Sequence, residues 1–253
     1  MISLSGIHKT FSPGTAEELK LFENMQFHAR SGEFVCIIGS NGSGKTTLLN
    51  LISGNEQAES GGITLGNTGI TRMPEHKRSS RIGRVYQDPS AGTAPLMTVA
   101  ENLAIAENKG KPYGLARGLS PKRRAEYRRL LELPGMGLED KLDCQVRTLS
   151  GGQRQALALL MCTMTPLDLL LLDEHTAALD PRSAQSVMEL TARLASQKGL
   201  TVLMVTHNLR FALEYGGRLL MLRRGKAVLD VSGQQKKELT AAELLAVYND
   251  IEL

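Results

Sequence analysis

The chain has 253 residues, 42% of them hydrophobic and 4% aromatic, with a formal net charge of +4 at pH 7. That leaves room for a substantial core in one domain with subdomains and suits an ordinary soluble α/β protein. The mildly basic balance gives no argument for nucleic acid, and Cys36, Cys144 and Cys162 are too widely spaced, with no C-x-x-C pair, to suggest a zinc site or a disulfide framework.

Met1 runs straight into Ile-Ser-Leu-Ser-Gly with none of the regions of a secretory leader, and no apolar stretch approaches bilayer length. The expectation is a chain of cytosolic type that meets any membrane through a partner. The opening residues to about Leu65 read as short strands punctuated by turns at Ser31-Gly32-Glu33 and Ser60-Gly61-Gly62. Within them, the strand-like run Phe34–Ile38 and the helix-like run Leu48–Ile52 flank Gly39-Ser40-Asn41-Gly42-Ser43-Gly44-Lys45-Thr46-Thr47. This satisfies G-x-x-x-x-G-K-[ST] in the strand–loop–helix context that gives the pattern its meaning. Gly39, Gly42 and Gly44 let backbone amides close on a polyphosphate, and the helix start adds unpaired amides and a positive dipole end. Lys45 supplies a point charge for the β- and γ-phosphates, and the Thr46 hydroxyl suits Mg²⁺.

Next, Pro74–Ser80 is polar and turn-like, Ile82–Tyr86 is a strand candidate, and Gln87–Ala94 is a loop of small residues. Thr98-Val-Ala-Glu101 has the form of a capping box and predicts a helix over Asn102–Glu107. Residues 109–129 are basic, with Lys109, Lys111, Arg117, Lys122, Arg123, Arg124, Arg128 and Arg129 against Glu126 alone. Such a run is either a solvated helix face or a surface for anionic lipid headgroups. Leu149-Ser150-Gly151-Gly152-Gln153 opens an apolar helix through Ala156–Met164, so that Ser150 and the amides near Gly151 form a second anion-binding helix terminus. Leu167–Asp173, Thr201–Thr206 and Arg218–Leu222 read as strands separated by helical stretches, the rhythm of a parallel α/β sheet. Thr240-Ala-Ala-Glu243 is a second capping box, for a C-terminal helix to about Tyr248.

The run from Asp168 to Asp173 is an all-leucine strand ending in a carboxylate, followed at once by Glu174. Ligands of open parallel sheets sit at the carboxyl ends of strands, where the phosphate loop also lies. Asp173 is therefore placed to hold Mg²⁺, and Glu174 to orient and deprotonate an attacking water.

Gly39–Thr47, Gln87, Leu149–Gln153, Leu169–Glu174, Ala178-Leu179-Asp180 and His207 stand in the order and spacing of the ATP-binding subunits of ABC transporters. The chain resembles that family from Phe11 to at least Gly225. The resemblance implies a P-loop NTPase (RecA-like) α/β fold, a parallel sheet core with an N-terminal antiparallel β subdomain and an inserted α-helical subdomain. It implies a core over residues 1–88 and 166–232, a helical insertion over 89–165 and a helical tail over 233–253. It also implies ATP with Mg²⁺, Phe11 stacked on adenine, and Gln87 near metal and water. Ser150, Gly151, Gly152 and Gln153 would then meet ATP held by a second copy, Asp180 would cross the interface, and His207 would contact the γ-phosphate and steady Glu174. The bland reading of Phe11 is an ordinary strand aromatic. The implied partners are a second copy of the chain, integral-membrane permease subunits and an extracytoplasmic substrate-binding protein, with the chain peripheral on the inner face of the membrane and no nucleic acid.

His175 replaces the proline common after the Asp-Glu pair, and either enters the γ-phosphate site or sits outside contact. The loop Ser12–Lys20, Met73–Arg78 and Gly83–Pro89 resemble bacterial importer ATPases paired with permeases of the branched-chain amino-acid type, with aromatic amino acids among the implied substrates. The rivals are an exporter or lipoprotein-extraction ATPase and a soluble ATPase without a permease.

Overall fold

The computed structural model describes residues 1–111 and 119–252, so Arg117 of the basic run lies outside the described residues. The elements in chain order are β1 (Ile2–Phe11), β2 (Leu19–Ala29), β3 (Phe34–Ile38), α1 (Lys45–Ser53), β4 (Ser60–Leu65), β5 (Thr68–Gly69), α2 (Glu75–Arg78) and β6 (Ile82–Val85). Then come α3 (Val99–Glu107), α4 (Pro121–Glu132), α5 (Gly151–Cys162), β7 (Leu169–Asp173), α6 (Pro181–Lys198), β8 (Thr201–Val205) and α7 (Leu209–Glu214). The chain closes with β9 (Arg218–Arg223), β10 (Lys226–Ser232), α8 (Gly233–Glu238) and α9 (Ala241–Glu252).

Two sheets form. The smaller is antiparallel in the order β2-β1-β4-β5, and the larger runs β10-β9-β3-β8-β7-β6, parallel except for β10. The central strands of the larger sheet are apolar at nearly every position because both faces are covered. Successive side chains enter opposite cores, as the period of two requires. Val35, Ile37, Leu169, Leu171, Leu203 and Val205 join α1 and the antiparallel sheet. Cys36, Ile38, Leu170, Leu172, Val202 and Met204 face a second core built with α3, α5 and α6. Truncating one of these buried leucines to alanine would cost about 2–5 kcal/mol.

The helical part between β6 and β7 is fastened by its caps. Thr98 and Glu101 form the predicted reciprocal capping box, although the helix starts at Val99, three residues earlier than its apolar pattern suggests. The basic run is partly neutralised: Arg123 lies 3.6 Å from Glu107, and Arg124 lies 2.6 Å from Asp143. The predicted second box at Thr240 and Glu243 is also formed, and the helix it starts extends beyond Tyr248.

Three local expectations are corrected. The opening segment begins with two long bulged strands, β1 of 10 residues and β2 of 11, while β3 and β4 are short as expected. Pro74–Ser80 contains a helical turn, α2, that buries Arg78. Its guanidinium donates to Leu51 and Ile52 carbonyls at 2.7 and 2.9 Å, satisfying orphan acceptors at the end of α1, and to Met73 and Thr71 carbonyls. Lastly, β10 has no counterpart in the sequence reading. It is an exposed edge strand held by the two-pronged Arg218–Asp230 pair at 2.6 and 2.7 Å. Among the described residues no helix is long and apolar enough to cross a membrane.

Candidate active site

The loop Gly39–Gly44 leaves the end of β3 and turns into α1, as the strand–loop–helix pattern requires. Gly39 has φ +151°, and a Cβ there would stand 2.2 Å from the Leu222 carbonyl oxygen of β9, so no other residue fits. Ser43 and Lys45 are buried, while Asn41, Gly42 and Thr46 are exposed. The Lys45 ammonium donates to the carbonyls of Gly39 at 2.7 Å and Ser40 at 2.8 Å. Burial pulls its pKa down, and the charges of Glu174 and Asp173 oppose that pull. A buried cation bonded to its own loop and facing two carboxylates is poised to exchange weak partners for phosphate oxygens.

Across the loop, β7 delivers Asp173 and Glu174. Asp173 Oδ1 lies 3.5 Å from the Thr46 hydroxyl. The two are hard oxygen donors, and the described residues hold no cluster of three or more acidic, histidine or cysteine side chains. This donor set fits Mg²⁺, which takes one or two protein oxygens alongside substrate phosphates, and it fits no all-protein cage. Glu174 has φ +49°, an uncommon backbone for a residue with a side chain, held by its N–H to the Val205 carbonyl at 3.0 Å. From there Oε1 reaches 2.6 Å from His207 Nε2. His207 leaves the end of β8, whose exit is fixed by the Thr206 N–H to the Ile37 carbonyl at 3.1 Å. The phosphate loop, the Asp173 carboxylate and a carboxylate–imidazole pair thus gather at the carboxyl edge of neighbouring parallel strands.

His175 points away from this cluster. It is buried, with Nε2 3.3 Å from the Thr191 hydroxyl on α6. That hydroxyl donates its single hydrogen to the Val187 carbonyl at 2.8 Å, so the ring nitrogen carries the proton and donates to it. Burial lowers the His175 pKa to about 4, which keeps the ring neutral.

The other candidates lie farther along the surface. Gln87 is exposed just after β6, and Gln155 holds the preceding Tyr86 carbonyl at 3.0 Å. Ser150 caps α5 in a reciprocal box with Gln153, leaving Ser150 and Gly151 exposed. Gly152 is buried where a Cβ would meet Ser183 at 2.5 Å, packing α5 directly on α6. Gln153 is committed to its own chain, donating to the Met136 carbonyl at 2.9 Å and accepting from Lys141 at 3.1 Å. Asp180 caps α6 through the amides of Ser183 and Arg182, and the Ser183 hydroxyl together with these amides holds its carboxyl below the usual range. Phe11 is half-buried at the end of β1, with the Lys9 ammonium 5.0 Å from its ring centre. Sequence reasoning missed Arg84, whose Nη2 lies 2.6 Å from Asp173 Oδ2. The only signal was a cation inside a four-residue buried strand.

The ABC transporter family pattern matches residues 22–177. The chain is 49% identical over 245 residues to a tyrosine transport ATP-binding protein of Clostridioides difficile, covering 97% of each. It is 31% identical to a methionine import ATP-binding protein of Corynebacterium glutamicum, covering 90% of this chain and 61% of that one. It is also 33% identical to a spermidine/putrescine import ATP-binding protein of Haemophilus influenzae, covering 93% and 59%. Among solved structures, a dimeric ATP-binding cassette in a post-hydrolysis state with ADP and phosphate superposes with TM-score 0.78 at 28% identity, covering 92% and 98%. The ADP conformation of another ABC transporter cassette gives 0.81 at 25% identity, covering 100% and 98%. The family match over residues 22–177 and the 49% identity to a transport ATP-binding protein along nearly its whole length, on a chain that carries a phosphate loop and a strand-end carboxylate pair, make the protein an ATP hydrolase of the ABC transporter family.

Proposed function

We propose that the protein is the ATP-hydrolysing subunit of a bacterial importer, working as a pair of copies beneath a separate permease and powering uptake of an amino acid, aromatic in type. The observation that carries the hydrolytic part is the 2.6 Å Glu174–His207 contact beside the phosphate loop. The transport part is supported by the relatives above, whose names give tyrosine transport and methionine or polyamine import. The paired state is supported by the dimeric cassettes of the same fold. An extracytoplasmic binding protein, acting through the permease, completes the proposed assembly.

In this reading the chain's own groups divide the work. Backbone amides of Gly42–Thr46 and the Lys45 ammonium cradle the β- and γ-phosphates of ATP. Thr46, Asp173 and Gln87 would hold Mg²⁺, which when bound would screen the phosphate charge. Glu174 accepts a proton from the water whose oxygen attacks the γ-phosphorus, while the bond to the bridging oxygen breaks and ADP and phosphate result. His207 donates through Nε2 to the Glu174 carboxylate, keeping it aimed at that water, and stands beside the γ-phosphate. The partner copy closes the site with its own Ser150 and helix amides, while Asp180 lies along the joint. Loss of the bridging γ-phosphate loosens that joint, and the opening drives the permease. Phe11 provides the adenine platform, residues 89–165 carry the signal to the permease, and the tail after residue 232 packs against the core.

The test is co-purification from membranes followed by reconstitution. The tagged chain should bring down a polytopic membrane protein, and vesicles holding the pair should accumulate an aromatic amino acid only with ATP. Recovery of the chain free of any membrane protein, from cells expressing its neighbouring genes, contradicts the importer reading.

A further inference from the structure

Arg84 takes no part in the steps above, yet it is a largely covered charge joining three pieces of the phosphate site. It sits on β6 beside Leu171 of β7, its side chain 9% exposed. Nη2 donates to Asp173 Oδ2 at 2.6 Å. Nη1 donates to Asn50 Oδ1 at 2.7 Å and to the Ser53 hydroxyl at 3.3 Å, both on α1 directly after the phosphate loop. The guanidinium also stands 4.7 Å from the centre of the Tyr86 ring, one residue before Gln87. The fork therefore spans strand, helix and loop, and leaves only its Nε buried without a partner.

The two oxygens of Asp173 are in consequence not equivalent. Oδ2 is tied to Arg84, and Oδ1 is turned toward the Thr46 hydroxyl. We propose that Arg84 is a positioning residue: it fixes the rotation of the Asp173 carboxylate so that one oxygen stays available to the metal, and it couples that orientation to α1 and Tyr86. This rests on the reading of Asp173 as a Mg²⁺ ligand. Two effects compete. A cation on Oδ2 weakens the pull of the carboxylate on a metal, whereas a carboxylate free to rotate must be reordered at each binding event. The 13% exposure of the Asp173 side chain decides between them, because a nearly dry carboxylate stripped of its partner turns toward any available donor rather than waiting for the metal. Lysine should substitute only in part, since its ammonium has no fixed planar fork to hold Asn50 and Asp173 in set directions.

The experiment uses the full chain and its Arg84→Met, Arg84→Lys, Asn50→Ala and Asp173→Asn variants. Binding of a fluorescent ATP analogue is titrated in EDTA and over a range of free Mg²⁺, and Mn²⁺ uptake with ATP is followed by electron paramagnetic resonance. Arg84→Met should raise the Mg²⁺ needed for half-maximal tightening about tenfold, with metal-free affinity within about twofold, the scale expected for losing a ligand's outer-shell partner. Arg84→Lys should fall between wild type and Arg84→Met, and Asn50→Ala should shift the Mg²⁺ titration in the same direction by less. An unchanged Mg²⁺ titration in Arg84→Met, with a shifted one in Asp173→Asn, overturns the role of Arg84 and leaves the metal reading standing. Unchanged titrations in both overturn the metal reading as well. Equal losses with and without metal mean a merely structural arginine and also overturn the proposal. Should Arg84→Met fail to fold, Asn50→Ala and Arg84→Lys decide by the same criteria.

Discussion

Oε1 of Glu174 lies 2.6 Å from Nε2 of His207, and Glu174 reaches it from a backbone with φ +49°. The strained residue sits between two parallel strands whose ends are pinned by main-chain hydrogen bonds, so the surrounding sheet determines a conformation the residue would not choose. Glu174→Gln keeps the shape and removes the proposed base. Turnover should fall at least ~10²-fold, with ATP binding retained and an ATP-bound pair of copies accumulating. Steady-state hydrolysis and size-exclusion chromatography with ATP measure both, and near wild-type turnover would remove Glu174 from its role.

Ser150 is exposed at the start of α5, where its hydroxyl accepts from the Gln153 amide at 3.2 Å. Ser150→Arg should leave nucleotide binding by the single copy within about twofold, because the phosphate loop is untouched, while abolishing ATP-dependent pairing. A pair that still forms on a sizing column in the presence of ATP refutes the contact across copies.

Arg78 tests stability rather than catalysis. Four of its hydrogen bonds go to main-chain carbonyls, two of them at the end of α1, and burial pulls its pKa down. Arg78→Met should destabilise the chain by about 3 kcal/mol, since methionine fills part of the space and leaves the carbonyls unpaired. Urea unfolding gives the value directly. A loss within the scatter of surface substitutions would show that water takes over those carbonyls.

His175 supplies the pH dependence. Its pKa falls from the ordinary 6.5 to about 4 on folding, so between those values the unfolded chain binds a proton that the folded chain does not. Stability contributed by the neutral ring is therefore complete above about pH 6.5 and is lost as pH falls toward about pH 4, on the order of 3 kcal/mol in all. His175→Gln, which retains a donor toward Thr191, should flatten that decline in urea midpoints. Equal slopes for the two proteins would place His175 in contact with water.

How much of this was readable beforehand depends on the range of the forces involved. The phosphate loop, the leucine strand with its terminal carboxylates, and the capping boxes at Thr98 and Thr240 are local patterns, and the structure has each where the pattern lies. Ser150 and Gln153 also form a capping box, a local signal the sequence reading passed over in favour of the phosphate role. Arg78 and Arg84 were not legible, because their partners Leu51, Asn50 and Asp173 come from elements that meet only in the folded chain. The strand β10 went unread although Leu229 and Val231 alternate with Asp230 and Ser232, because exposed Val228 and a register shift between Ala227 and Leu229 break the pattern, and Arg218 of the neighbouring strand holds its place. The orientation of His175 depended on Thr191, sixteen residues on, and no spacing rule encodes that pair.

Two strands of the larger sheet are clamped at both extremities. Arg81 meets Asp168 at 2.5 Å where β7 is entered, and Arg84 meets Asp173 at 2.6 Å where it is left. Because oil lies on both sides of β7, greasiness alone would scarcely object if it slid by one position along β6. Sliding would carry Asp173 about 3.3 Å, the rise of a single residue, and turn it to the opposite face, out of reach of Thr46. The paired charges act as end stops on a rail, so a misthreaded chain would forfeit two ion pairs together with its active centre.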